Sequence, residues 1–384
     1  MHMMARSLLM VATALGSQDI LDHHVGGKKG LPHLPVPNEP FTSLEHINVN
    51  SGRKWSRRVD AFYFDVLRCG RDPRALAALV KTNKHREDKE KPLVANLTWA
   101  NVGHQQFHLP YGDLMEDALE AWASVGHGHT IVGHHAQAVR GTLVLAWPAS
   151  KVAGLFERLR DWGSHVDVET GAFRGPHGAR FAVEPVDDQH AHRAIGPVKT
   201  ASRLGAGALP GGESEGVGLR AIRFDVPAGT AVGLCRFYET IFTARTRLLH
   251  SETTCVVKIG HNQELEFEES EEVPPYDGHH VCLYVNGQSF IAIYDALFIR
   301  GLIYSNPRYP QFNTNSIYDA LQIHEFRLKD LVDLRDPRYP TRLFELEHEI
   351  RSLNHPAFAL RTHLQEYQHE DPGLQPPKSN LIEL

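Results

Sequence analysis

The chain has 384 residues, with 42% hydrophobic and 22% charged side chains. That is the composition of a soluble globular protein with room for roughly two to three cores, which excludes a disordered or fibrous chain. Forty Lys+Arg against 46 Asp+Glu leave a formal charge of −6, so no basic field attracts nucleic acid, and no apolar run reaches the roughly 18 to 20 residues that span a bilayer.

Residues 1–40 read as an N-terminal arm or leader. The short apolar stretch Leu8 to Leu15 follows a single basic residue, Arg6, but Asp19 and Asp22 come next without a small-residue cleavage site, which argues against secretion. The four cysteines, Cys69, Cys235, Cys255 and Cys282, sit in apolar runs and form no CxxC pair, which predicts reduced core thiols. A cytoplasmic location follows, with a plastid or mitochondrial leader as the alternative. Gly26 to Pro40, rich in glycine and proline, is an extended arm.

A first domain is predicted over 41–195. Leu44 to Val49 alternates as a strand, Arg57 to Arg68 is an amphipathic helix containing Phe62-Tyr63-Phe64-Asp65-Val66-Leu67, and Gln105 to Leu109 is a strand closed by Pro110. After a predicted helix over Leu114 to Ser124, His127, His129, His134 and His135 fall in a Gly-rich connection, read as a surface loop because loop histidines lack convergent geometry. A second unit follows, with the strand Gly141 to Trp147, the helix Lys151 to Trp162 and the strand Gly178 to Val183. The Gly/Ala/Ser-rich stretch 196–218 is the linker to a second domain, 219–335. There Leu219 to Val226, a helix around Arg236-Phe237-Tyr238-Glu239-Thr240-Ile241-Phe242, and Gln263 to Phe267 make a third unit. The fourth has His280 to Val285, a helix near Ser289 to Arg300, and Ile323 to Arg327 as its last strand. Residues 336–384, including Glu345 to Arg351, are read as a C-terminal extension outside the repeats. The doubled Pro-Arg-Tyr-Pro at 307–310 and 337–340 is turn chemistry, with Arg308 as an alternative partner for a substrate carboxylate. No GxSxG elbow or Walker loop is present, and Gly205, Gly207, Gly211 and Gly212 do not follow a strand and open a helix.

The sequence thus predicts an α+β fold of four βαβββ units. The phrase Phe62 to Leu67, its echo Phe237 to Phe242, and the turn Gly175-Pro176-His177-Gly178 before Arg180-Phe181 resemble the vicinal oxygen chelate superfamily, which includes glyoxalase I and the extradiol dioxygenases. The resemblance covers roughly residues 42–330. It implies glyoxalase-like units paired into two curled mixed-sheet cups with helices outside, and a divalent metal held by residues from first and last strands. Two adjacent substrate oxygens chelate such a cation, so the protein supplies only three or four imidazole or carboxylate ligands.

Superposing the four units on that plan, the first-strand slots hold His46, Thr142, Ala221 and His280, and the last-strand slots hold His108, Ala182, Glu266 and Glu325. Only the first and fourth units keep a full set, so those two are expected to share one cup, with His46, His108, His280 and Glu325 as metal ligands. Gln106 is the alternative to His108, and His324 to Glu325 if the register shifts by one. Glu266 lies in an acidic run and is left out. Two ligands on one ion require the ring nitrogens of His46 and His280 to stand roughly 3 to 4 Å apart.

The expected protein is a mononuclear enzyme using Fe, Mn, Ni or Zn on a small-molecule substrate with adjacent oxygens. A lyase or isomerase with Glu325 as general base is the first reading. An Fe(II) extradiol-type dioxygenase and a non-catalytic small-molecule binding protein are the alternatives. A monomer or homodimer is expected, with no nucleic-acid or membrane partner.

Overall fold

The computed structural model describes residues 39–51, 56–88, 97–110, 137, 139–189, 214–306, 313–335 and 341–358. The arm before residue 39, the helix expected over Leu114 to Ser124, the histidine cluster 127–135, linker residues 196–213, Arg308 and both Pro-Arg-Tyr-Pro turns lie outside the described residues.

The first unit contains β1 (Phe41–Asn48), α1 (Ser56–Asp60, continued by a π-helical turn Ala61–Val66), β2 (Gly70–Arg71), α2 (Arg74–Glu87), β3 (Leu97–Val102) and β4 (Gln105–Pro110). The second contains β5 (Gly141–Pro148), α3 (Val152–Trp162), β6 (Ala172–Arg174) and β7 (Arg180–Val186). The third contains β8 (Gly218–Pro227), α4 (Ala231–Phe242), β9 (Thr246–Leu249), β10 (Thr254–Gly260) and β11 (Gln263–Ser270). The fourth contains β12 (His280–Val285), α5 (Gly287–Phe298), α6 (Ile317–Ile323), β13 (Glu325–Val332) and β14 (Arg342–Ser352).

Two seven-stranded mixed sheets result, ordered β13-β14-β12-β1-β4-β3-β2 and β6-β7-β5-β8-β11-β10-β9. The first sheet joins units one and four through the antiparallel β1–β12 pair; the second joins units two and three through β5–β8. Units one and three have three strands after their first helix. Among the described residues, units two and four have two, with an isolated bridge Val166–Phe173 where unit two falls short.

The aromatic phrases wedge the two sheets together. Phe62 packs on Phe181 of the second sheet, with ring centroids 5.4 Å apart, while its neighbour Tyr63 packs on Phe107 of the first, at 5.0 Å. In the third unit Tyr238 packs on Phe267 of the second sheet at 5.4 Å, and Phe242 on Phe41 of the first at 5.0 Å. These rings are withdrawn from water, and burial of such a side chain stabilises by about 1.5–3 kcal/mol.

Three expectations need correction. The unit-four strand at Glu325 is not the last one. β14, assigned from sequence to an extension, lies between β13 and β12 and completes the sheet. β1 is not a regular alternating strand: against β12, Leu44 faces Leu283 and His46 faces Cys282, so Glu45 is an extra residue in a bulge. Leu44 and Ile47, three apart, both enter the core for that reason. The cysteines are not all reduced: α4 lies on β10, bringing Cys235 and Cys255 to a Cα separation of 5.6 Å, where they form a disulfide. Cys69 and Cys282 are free and buried. No helix among the described residues is long and apolar enough to cross a membrane.

Candidate metal centre

The first sheet brings His46 of β1 and His280 of β12 face to face, Nε2 to Nε2 at 3.5 Å. Glu349 of β14 completes the group, its Oε2 lying 3.9 Å from His46 Nε2 and 3.4 Å from His280 Nε2. All three side chains are buried. The point equidistant from these three atoms lies about 2.1 Å from each, within the roughly 2.0–2.2 Å range of bonds from a transition metal to imidazole nitrogen or carboxylate oxygen. The donor set fits one ion.

The surroundings prepare each donor. Because of the bulge, Glu45 turns to the same side as His46, and its Oε2 lies 3.2 Å from His46 Nδ1. A carboxylate there accepts a hydrogen bond from Nδ1–H, which fixes the tautomer and leaves the Nε2 lone pair free to ligate. Burial pushes the Glu45 carboxyl up, but Arg351, His46 and Cys282 outweigh it and hold it at about 2. Burial also lowers His280 to about 4 against the opposing pull of Glu349, which keeps its imidazole neutral and able to ligate at ordinary pH. Its Nδ1 is a buried atom without a hydrogen-bond partner among the described residues.

Glu349 is ionised. Burial opposes this, but Arg327 and Arg351 hold its carboxyl well below the ordinary range. Arg327 donates to Glu325 at 3.0 and 2.8 Å, to Glu347 at 2.5 Å, and to Glu349. Arg351 donates to Glu45 at 2.6 Å and to Glu325 at 3.3 Å, and pairs with Glu349. Among the described residues this buried network sets four carboxylates against two guanidinium groups. With Glu325 pushed up to about 7, the network carries an excess of between one and two formal negative charges, which is costly in a desolvated site and which a divalent cation offsets.

The residues expected from sequence fare differently. His46 and His280 meet. His108 stacks on His46, with ring centroids 3.8 Å apart, and lies against Trp99 on its other face at 4.4 Å. It stands opposite Asn48 in the β1–β4 pair as Glu349 stands opposite Cys282 in β12–β14, each two residues beyond the first-strand histidine. Its Nε2 is nonetheless turned to Gln106 Oε1 at 3.0 Å rather than to the donor triangle. Gln106, the alternative ligand, is itself tied by its amide nitrogen to Asp72 at 2.5 Å and Asn101 at 2.6 Å. Glu325 lies in the arginine network beside the triangle and is not one of its vertices. Burial and the adjacent Glu349 push its carboxyl up to about 7 against the two arginines. His324, its one-residue alternative, ends α6 with a left-handed backbone and sits 3.2 Å from Ser352 Oγ. Glu349 and Glu45 were missed. The strand that carries Glu349 was legible in the strict alternation of Phe344, Leu346, His348 and Ile350 with Glu345, Glu347, Glu349 and Arg351, though its place beside β12 was not; Glu45 depends on a bulge and was not legible.

No protein-family model matches the chain, and no curated protein matches it. Similar solved structures include a proposed dioxygenase from Bacillus subtilis, 12% identical over 88% of this chain and 98% of that one with a TM-score of 0.46. Glyoxalase I from Zea mays is 12% identical over 86% and 96% with a TM-score of 0.42. The 2,3-dioxygenase LapB from Pseudomonas sp. KL28 is 10% identical over 82% and 93% with a TM-score of 0.25. Likeness of this extent assigns no role to any residue, and the site reading stands on its own geometry.

Proposed function

We propose that this chain is a mononuclear metal enzyme that acts on a small substrate with two adjacent oxygens, and that its reaction is an Fe(II)-dependent dioxygenation of the extradiol type. The single observation carrying this reading is the donor triangle itself. Two imidazoles and one carboxylate with open positions are the ligand set of non-haem Fe(II) oxygenases. Chelation of the substrate oxygens and activation of dioxygen is the chemistry a ferrous ion supplies from such a set.

The chain's own groups cover the rest. Gln106 gives both amide hydrogens to Asp72 and Asn101, so its Oε1 accepts from His108 Nε2–H. That fixes the tautomer and leaves His108 Nδ1 as the basic atom. Burial and the neighbouring His46 lower His108 well below its ordinary value, so the ring is neutral and offers Nδ1 as a hydrogen-bond acceptor for a hydroxyl of a bound substrate. Trp99 and His46 hold it between two ring faces.

The lyase or isomerase reading calls for a carboxylate free to act as base. Among the described residues Glu45 and Glu347 are held by Arg351 and Arg327, and Glu325, whose carboxyl is pushed up to about 7, is held by both and is not a vertex of the donor triangle, so we favour the dioxygenase reading on the ligand set. The test is anaerobic loading with Fe(II), followed by addition of air-saturated buffer and a panel of catechols. Oxygen uptake stoichiometric with ring-cleaved product supports the reading; conversion of an α-hydroxycarbonyl compound without oxygen uptake would replace it with the isomerase.

A further inference from the structure

Two hairpins repeat one phrase, Val102-Gly103-His104-Gln105 between β3 and β4 and Ile259-Gly260-His261-Asn262-Gln263 between β10 and β11. Each glutamine is fully buried and reaches into the first strand of the other sheet. Gln105 Oε1 accepts from the Leu219 amide of β8 at 3.1 Å, and Gln263 Oε1 accepts from the Leu44 amide of β1 at 3.2 Å. Gln263 also donates to the Leu219 carbonyl at 3.2 Å. The two gripped leucines are equivalent. Leu44 directly precedes the extra residue Glu45, and Leu219 directly precedes the extra residue Arg220, each in a bulge of its sheet.

The grip on β1 is built into the hairpin. A Cβ added to Gly260 would stand 2.6 Å from Gln263 Oε1, 3.2 Å from the Thr42 carbonyl oxygen and 3.3 Å from Ser43 Cα. The glycine is therefore the residue that lets β10 and the Gln263 side chain lie directly on β1. β4 pairs with β1 only from His46 to Asn48, so Leu44 has no β4 partner and Gln263 supplies its acceptor. A buried amide left without an acceptor is destabilising. A strand can also relieve a bulge by slipping one residue, which exchanges the side chains on its two faces.

From this we infer that Gln263, which belongs to the sheet without the ligand set, is a positioning residue for the metal centre. It pins the bulge that puts Glu45 beside His46 Nδ1 and aims His46 Nε2 at His280 and Glu349. Gln105 does the same for β8, where the residue after the bulge is Ala221 and nothing is aimed. The inference rests on the metal reading above, and the test separates the two.

The experiment is anaerobic titration of the full chain with Co(II), read from its visible absorption bands. Loss of an outer partner of a metal ligand weakens binding roughly 10–100-fold, and that is the effect expected of Gln263→Met, which keeps the length and removes the acceptor. Gln105→Met removes the equivalent grip and should leave the Co(II) constant close to that of the wild type. In a Glu45→Gln background Gln263→Met should add little, because the partner it positions is already gone. If Gln263→Met does not fold, Gly260→Ala, which displaces Gln263 from Leu44, takes its place in the series. Equal effects of the two glutamine variants, full additivity with Glu45→Gln, or wild-type affinity in Gln263→Met would each overturn the positioning role. A wild-type chain that binds no Co(II) would reject the metal reading and the positioning role with it.

Discussion

The two sheets share one plan and fill it differently. Both place a bulge after a leucine in the first strand, Leu44-Glu45-His46-Ile47 in one and Leu219-Arg220-Ala221-Ile222 in the other, and both send the leucine and the isoleucine into the core. In the first sheet the four slots hold His46, His108, His280 and Glu349. In the second they hold Ala221, Glu266, Thr142 and Ala182. Where Asn48 faces His108 in the first, Arg223 faces Glu266 in the second and pairs with it at 2.7 Å. The first sheet therefore gathers buried donors in excess of its own cations. The second neutralises its remaining carboxylate with a covalently attached guanidinium at the solvent edge. On the proposed reading, one sheet holds a metal and the other does without it, and a handful of strand positions make the difference.

The sharpest way to break this comparison is to remove a donor from one side only. Glu349→Gln or His46→Ala should cost Fe(II) or Co(II) affinity beyond the roughly 10–100-fold that loss of an outer partner costs, measured by anaerobic equilibrium titration. Glu325→Gln should stay within that range, because Glu325 touches the site through Arg327 and Arg351. Equal losses for Glu325 and Glu349 would return Glu325 to the ligand set.

The ion pairs give the next effect. Arg327 is 7% exposed and bonds three carboxylates, so Arg327→Gln, which strands buried charge, should destabilise by about 3–5 kcal/mol in chemical denaturation. Arg223 is 44% exposed, and Arg223→Gln should cost less than about 1 kcal/mol.

Much of this arrangement was readable before the structure. The Phe-Tyr echoes marked the two helices that wedge the sheets, and the slot residues pointed to units one and four as partners, which the β1–β12 pair shows them to be. The rest was hidden for physical reasons. A bulge shifts the period-2 pattern by one residue, and Glu45 was hidden in that irregular step. Glu325 and Glu349 both lie in alternating strands with arginines two residues on, Arg327 and Arg351. Only strand order distinguishes the one beside β12 from the one at the sheet edge. His108 shows the remaining limit. Its strand position is equivalent to that of Glu349, yet the side chain is turned away by Gln106, a contact that depends on Asp72 arriving from a different part of the unit.

A smaller contrast concerns pH. The strands of the second sheet carry no histidine, whereas in the first His348 is buried, with Nδ1 against the Leu346 carbonyl at 2.8 Å and Nε2 accepting from the Tyr238 hydroxyl at 2.6 Å. Burial lowers its pKa from 6.5 to about 4. Above 6.5 the ring is neutral in both folded and unfolded chains. Below it the unfolded chain takes up a proton that the fold refuses, so this group's contribution falls from pH 6.5 to about 4 and then levels. Thermal midpoints of the metal-free protein should decline across that window, and less steeply in His348→Met. An unchanged slope would show that other groups control it. The smallest effect is expected at the equivalent slot of the second sheet: Thr142→Val should leave metal stoichiometry and affinity as in the wild type, and any loss would mean that the second sheet holds the ion.

The most direct measurement is a crystal structure of the full chain grown anaerobically with Co(II), with the ion located by anomalous scattering at the cobalt edge. One peak is expected, bonded by His46 Nε2, His280 Nε2 and Glu349 Oε2, with Glu325 still between its two arginines and no peak in the second sheet. A peak coordinated by Glu325 in place of Glu349, or one among Thr142, Ala221 and Glu266, would contradict the account.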